Sequence, residues 1–200
     1  MLHSPLLTDE QINAFKSNGF VLLRNRFNAK EITQIDTWTR ELSSLKEESG
    51  KHWVYHERSQ LDSADDLISR IEYISPFHDG FAELGGRLKA AVLFKEKINF
   101  KMPGGDGFKP HQDSQAGWED YARYFISVMV CIDEATIENG CLQMVAGNHR
   151  RGIYREWEPL TDEDMKDMDF RYCPTQPGDI VFFDCYTSHA SEPNLSNSTR

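Results

Sequence analysis

The chain has 200 residues, 39% of them apolar, and carries 22 Lys and Arg against 32 Asp and Glu for a formal net charge of −10. That length supports one sizeable core. The acidic balance repels a phosphate backbone and offers no basic stripe, which argues against nucleic acid as a partner.

In chain order, the opening stretch MLHSPLLTDEQ has no charged leader region and meets acid after a short leucine run, so it does not read as a secretory signal. Thr8-x-x-Gln11 forms a capping box, Ile12 and Phe15 follow at helical spacing, and Gly19 stops the helix before the strand-like FVLL. A second box, Asn28-x-x-Glu31, opens a longer helix whose Ile32, Ile35, Trp38, Leu42 and Leu45 make one apolar packing stripe. The polar, irregular segment at 46–66 reads as a loop or lid. Ser63-x-x-Asp66 then caps a third helix through Leu67, Ile68, Ile71 and Ile74, closed by Pro76. His52 and His56 have the spacing of a zinc helix, but no glutamate follows His52 and the surroundings read as loop.

From about residue 92 the pattern changes to short runs rich in β-branched and aromatic residues: VLFKEKINFKM, YFISVMVCID, GCLQMVA and DIVFFDCY. They are bounded by the turns PGGDG, ENG and QPGD. The acidic run TDEDMKDMD at 161–169 lacks the glycine and closing glutamate of a calcium loop and reads as a capped, solvated helix. Helices first and strands afterwards, without βαβ alternation, predict a mainly β fold with N-terminal helices, a jelly roll or double-stranded β-helix of the cupin kind. The expected organisation is one domain over 1–200, with helices in 1–91 packed on a β core in 92–200.

Cys131, Cys141, Cys173 and Cys185 contain no C-x-x-C and read as buried small hydrophobes in a reduced compartment. No window approaches the apolar length of a membrane span. The cytoplasm is therefore the expected location. Two N-x-S/T patterns at Asn194 and Asn197 then read as turn chemistry.

The stretch KPHQDSQAGWEDY places His111 and Asp113 one residue apart. Such a pair arises by chance in roughly one of two chains of this composition, so it needs partners. In an extended segment residues i and i+2 share a face, which lets both side chains reach one metal. DIVFFDCYTSH supplies a buried strand ending near His189. Two histidines and one carboxylate leave three positions open, the pattern of non-haem Fe(II) oxygenases. Arg200 follows His189 by eleven residues, and its planar fork suits a carboxylate. An open metal with a carboxylate anchor nearby is what 2-oxoglutarate requires.

These residues resemble the phytanoyl-CoA dioxygenase family of Fe(II)/2-oxoglutarate-dependent oxygenases. The resemblance runs from about Thr8 to the end and rests on HQD at 111–113, ENGCLQMVAGNH at 138–149, PGD at 177–179 and HASEPNLSNSTR at 189–200. It implies that His111, Asp113 and His189 bind Fe(II), that Arg200 holds 2-oxoglutarate, and that Ser191 donates a hydroxyl to the same carboxylate. It also implies contacts to the cosubstrate from Asn99 and Gln112. With O2, 2-oxoglutarate would be oxidised to succinate and CO2 while a substrate C–H becomes C–OH. Halogenating relatives lack the carboxylate ligand, so an intact Asp113 favours hydroxylation. The stretch HQDSQAGW leans the expected substrate toward a small polar metabolite of the 2-aminoethylphosphonate kind. Trp118 either walls the substrate pocket or packs at its rim, and Tyr124 is a further candidate contact.

Two departures accompany the resemblance. The usual G-S-H of the family stands as Gly147-Asn148-His149, a turn variant with His149 as a turn residue. Arg200 ends the chain, and chain ends fray, so the sequence implies either a longer native protein or a loosely held anchor. A cupin-like metalloenzyme without 2-oxoglutarate would keep the triad without needing Arg200. A non-catalytic binding module would keep the fold alone.

Overall fold

The computed structural model describes residues 7–43, 98–117 and 122–200. The chain divides into two compact units, Met1–Thr8 with Asn28–Phe100 and Asp9–Phe27 with Lys101–Arg200.

In the first unit, helix α2 (Ala29–Ser43) begins with the capping box that the sequence predicts. Asn28 Oδ1 accepts from the Lys30 and Glu31 amides at 3.0 and 3.1 Å, and Glu31 Oε2 accepts from the Asn28 amide at 2.8 Å. Of the expected stripe, Ile35 is buried and Ile32 and Trp38 are half-buried, while the Leu42 side chain and Leu45 lie outside the described residues. The expected third helix, the loop at 46–66 and the His52/His56 pair lie outside the described residues. Among the described residues, no helix is long and apolar enough to cross a membrane.

The second unit is built from two antiparallel sheets. Helix α1 (Asp9–Asn18) buries Ile12 and Phe15. Gly19 then turns the chain at φ +84°, its amide donating to Phe15 O at 2.8 Å. A Cβ there would lie 2.5 Å from both His149 Nδ1 and Thr187 Oγ1, so only glycine fits. The chain enters β1 (Phe20–Leu23), which joins β6 (Ile180–Asp184) and β3 (Ile126–Val130) in a sheet of order β1-β6-β3. As the central strand, β6 is buried along its whole length, which is why DIVFFD is apolar without alternation. The second sheet has order β2-β7-β4-β5, with β2 (Phe108–His111), β4 (Leu142–Val145), β5 (Phe170–Cys173) and β7 (His189–Ser191).

Met144 and Cys173 of one sheet and Val181 and Phe183 of the other form a buried cluster, with Phe20, Leu22, Met129 and Leu142 packed against it. Full burial of each large side chain here is worth about 1.5–3 kcal/mol. The pairing of antiparallel sheets is the jelly-roll type that the order of elements predicts.

Three details differ from the sequence expectations. The described part of VLFKEKINFKM, 98–102, forms no regular strand. Strand β5 was not expected, because it is short, half exposed and preceded by an acidic run. The expected helix at 161–169 is a four-residue α3 (Asp162–Met165), capped by Thr161, whose hydroxyl accepts from the Asp164 amide. All four cysteines are free and buried. Asn194 is a turn residue as read: its Oδ1 accepts from the Ser196 amide and hydroxyl at 3.0 and 2.7 Å.

Candidate active site

His111 ends β2 and His189 begins β7, and the two are directly opposed in the ladder between those strands. Opposed residues of an antiparallel pair have neighbouring Cβ atoms, and here the ring centroids are 4.2 Å apart. Gln112 continues the extended backbone at φ −119° and ψ 141°, after which Asp113 opens a 3-10 turn, Asp113–Ala116, closed by a left-handed Gly117. The carboxylate thus returns toward His111 from the first residue of a turn, where the sequence predicts a continuing extended segment.

Asp113 Oδ1 lies 3.8 Å from His111 Nε2 and 3.5 Å from His189 Nε2. One ligand atom from each of the three residues falls within 4.8 Å of the others, and among the described residues this is the only such group of three or more His, Cys, Asp or Glu. The other nitrogen of each imidazole is already engaged: His111 Nδ1 donates to Lys109 O at 2.7 Å and His189 Nδ1 to Thr187 O at 2.9 Å. A carbonyl only accepts, so Nδ1 carries the hydrogen, which leaves Nε2 of each ring, on the side of Asp113, as the atom that could face a metal. Phe183 stands edge-on to the His189 ring at 5.0 Å. Two ring nitrogens and one carboxylate oxygen fit a divalent metal that keeps open positions.

Two cations converge on the Gly140 carbonyl, one of them bonded to Ser191, which lies two residues after His189 on β7. Arg200, expected to fray, is pinned: its amide donates to Lys101 O at 3.2 Å and its carbonyl accepts from the Lys101 amide at 2.7 Å. Its Nε donates to Asn139 O at 3.0 Å and an Nη to Gly140 O at 2.5 Å. The Asn194 amide group adds bonds to Lys101 O and Ser198 O, each 2.9 Å. Lys101 is buried, and its Nζ donates to Ser191 Oγ at 2.9 Å, to Gly140 O at 3.1 Å and to Glu192 O. Burial foremost, and then the Arg200 guanidinium, lower the Lys101 pKa from 10.5 to about 8. Burial also lowers that of Arg200. Ser191 Oγ accepts from Lys101 and from the Phe108 amide at 3.2 Å, which leaves its own hydrogen to donate.

The remaining expected site residues are placed differently. Gln112 is fully buried, and its side chain is spent on protein: Nε2 donates to Gly152 O at 3.0 Å and Tyr186 O at 2.6 Å, and Oε1 accepts from the Tyr154 amide at 2.7 Å. It fastens the loop after Gly152 to the segment before His189 and has no amide hydrogen left for a cosubstrate. Tyr124 donates its hydroxyl to Asp184 Oδ2 at 2.8 Å, so that hydrogen is engaged within the protein. Asn99 is exposed and belongs to the other unit. Trp118 lies outside the described residues.

Sequence reasoning missed Lys101 and Ser127. The first stands between Phe100 and Met102, an apolar setting that marks a lysine as unusual. The second, a lone hydroxyl in the apolar run of β3, donates to Asp113 Oδ2.

The family model for phytanoyl-CoA dioxygenase (PhyH) matches residues 15–200. The 2-aminoethylphosphonate dioxygenase of uncultured bacterium HF130_AEPn_1 is 38% identical over 208 residues, spanning 96% of this chain and 78% of its own. The methylphosphonate hydroxylase of Gimesia maris is 33% identical over 207 residues, spanning 97% and 78%. Among solved structures, EctD from S. alaskensis with 2-oxoglutarate and 5-hydroxyectoine superposes with a TM-score of 0.73 at 20% identity, covering all of this chain and 75% of that one. At that identity the superposition speaks for the fold alone.

Proposed function

The chain belongs to the phytanoyl-CoA dioxygenase family, and from that premise we propose that it is an Fe(II)- and 2-oxoglutarate-dependent dioxygenase that hydroxylates a C–H bond of a small phosphonate. The observation that carries the reaction class is the convergence of His111 Nε2, His189 Nε2 and Asp113 Oδ1 with both Nδ1 atoms tied to carbonyls. Iron bound by these three would supply, with O2 and 2-oxoglutarate, the oxidising power that converts C–H to C–OH and releases succinate and CO2.

The chain's own residues provide position and charge. Asp113 offsets one of the two charges of a ferrous ion. Arg200 and the free hydrogen of Ser191 would hold the distal carboxylate of 2-oxoglutarate, and Lys101, whose three hydrogens go to Ser191 Oγ, Gly140 O and Glu192 O, adds its positive charge behind them. Lys109 O and Thr187 O hold each imidazole in one tautomer and one ring plane. The substrate class rests on two relatives at 38% and 33% identity, one named for 2-aminoethylphosphonate and the other for methylphosphonate.

The test is succinate release and oxygen uptake with Fe(II), 2-oxoglutarate and each phosphonate in turn. The reading expects 2-aminoethylphosphonate or methylphosphonate to stimulate both and to yield a hydroxylated product. Slow succinate release that neither phosphonate stimulates would overturn the substrate and keep the reaction class. No succinate and no visible charge-transfer band on anaerobic mixing would overturn both.

A further inference from the structure

The two oxygens of Asp113 face different neighbours. Oδ1 points at both imidazole Nε2 atoms, whereas Oδ2 accepts from the Ser127 hydroxyl. Ser127 is the second residue of β3, and its register partner on β6 is Phe183, the ring that stands edge-on to His189. Neighbouring side chains on one face of the three-stranded sheet therefore brace Asp113 and His189, two of the three donor residues.

Resting on the metal-site reading above, we propose that Ser127 is a positioning residue that confines Asp113 to a one-oxygen ligand. Carboxylates bind metals through one oxygen or through both. A carboxylate free to rotate about its terminal bond can close with both oxygens and fill a coordination position, and the oxygenase site needs its open positions for cosubstrate and O2. A hydroxyl bonded to Oδ2 engages the second oxygen and fixes the carboxylate plane. Partners of this kind typically change metal affinity by about 10–100-fold when removed. The strand that carries Ser127 has no other polar side chain between Ile126 and Val130.

The experiment titrates the metal-free protein with Co(II) under anaerobic conditions, reading the dissociation constant and the d–d absorption spectrum in the parent, Ser127→Ala, Ser127→Val and Ser127→Thr. The proposal expects Ala and Val to bind Co(II) about 10–100-fold more weakly, with a changed d–d band shape. It expects Thr, which restores the hydroxyl, to recover both readouts. Val and Thr have nearly the same shape, so a merely packing role would move them together in melting temperature and leave the spectrum of bound Co(II) unchanged. Should Ala fail to fold, the Val/Thr pair carries the comparison. Parent-like affinity and spectrum in Ala and Val, or a folded Thr variant that recovers neither, would overturn the proposal. A parent that binds no Co(II) would overturn the metal site and this proposal with it; a parent that binds, beside unchanged variants, sinks only the role of Ser127.

Discussion

His111 and His189 oppose each other across the β2–β7 ladder, one closing its strand and the other opening its own. The metal centre is therefore a property of strand register. A slip of one residue would send every side chain of a strand to the opposite face and separate the two imidazoles. The ladder is irregular between Phe108 and His111, and that irregularity brings both Phe108 and His111 opposite the face that carries Ser191 and His189.

Replacing His111 by alanine should remove metal binding and, with it, the visible band that forms on anaerobic addition of Fe(II) and 2-oxoglutarate. His111 is partly exposed, so the metal-free fold should lose no more than about 1 kcal/mol. Spectrophotometric titration and thermal denaturation of the apoprotein check the two halves separately.

Arg200→Ala should spare the metal and weaken the cosubstrate. Truncating one member of a desolvated charge pair costs about 2 kcal/mol or more, roughly 30-fold in Kd. Calorimetric titration of 2-oxoglutarate should show that loss, while the Kd for Co(II) stays at the parent value. Equal 2-oxoglutarate binding in the variant would move the anchor elsewhere.

The depressed pKa of Lys101 gives cosubstrate binding a pH dependence of definite sign. The free protein holds this lysine charged only below about 8, and a bound carboxylate favours the charged form. Binding then takes up a proton above that pH, so the Kd for 2-oxoglutarate should rise with pH above about 8, by about tenfold per unit at most. Lys101→Arg, charged throughout, should flatten the curve measured between pH 7 and 9.5, a range chosen about the shifted lysine.

Tyr124→Phe separates an interior tie from a substrate contact. Asp184 is buried, and losing the phenolic donor should cost about 1–3 kcal/mol in stability. The KM for substrate should not change. A raised KM with unaltered stability would restore Tyr124 to the substrate pocket.

Acid should find Asp179. Burial alone would raise its pKa, but the Gln176 and Asn25 amides and Arg24 outweigh it and hold the carboxyl below its ordinary value. The stability this contributes is present above the unfolded pKa of about 4 and is lost as pH falls below it. Asp179→Asn should be less stable than the parent at pH 7, with the gap closing toward pH 3, a window set by that unfolded value, as read from urea midpoints.

The ligands were legible because metal chemistry restricts residue type and spacing: few arrangements other than a shared metal explain His111, Asp113 and His189 together with Arg200. The strands β3, β4 and β6 were legible from their apolar runs and flanking turns. Strand β5 was not, since two of its four residues are exposed and the acidic stretch before it dominates any local window. Ser127 and Lys101 were invisible for another reason. A serine in a strand and a lysine before a turn acquire meaning only from what the opposite sheet brings to them. The partners of Gln112 and Tyr124 were not legible either: Tyr186 O and Asp184 are protein groups that the sequence does not place near them.

Gly140 joins the two cations through its backbone. Its carbonyl receives hydrogen bonds from Lys101 and Arg200 alike. At φ +77° a Cβ on it would stand 2.2 Å from Glu192 O and 2.5 Å from Lys101 Nζ. Both positive groups are thus referenced to one peptide plane, so any tilt of the Asn139–Gly140 bend carries them as a pair. A change of bend geometry would thus displace the lysine and the arginine together while leaving both residues in the sequence.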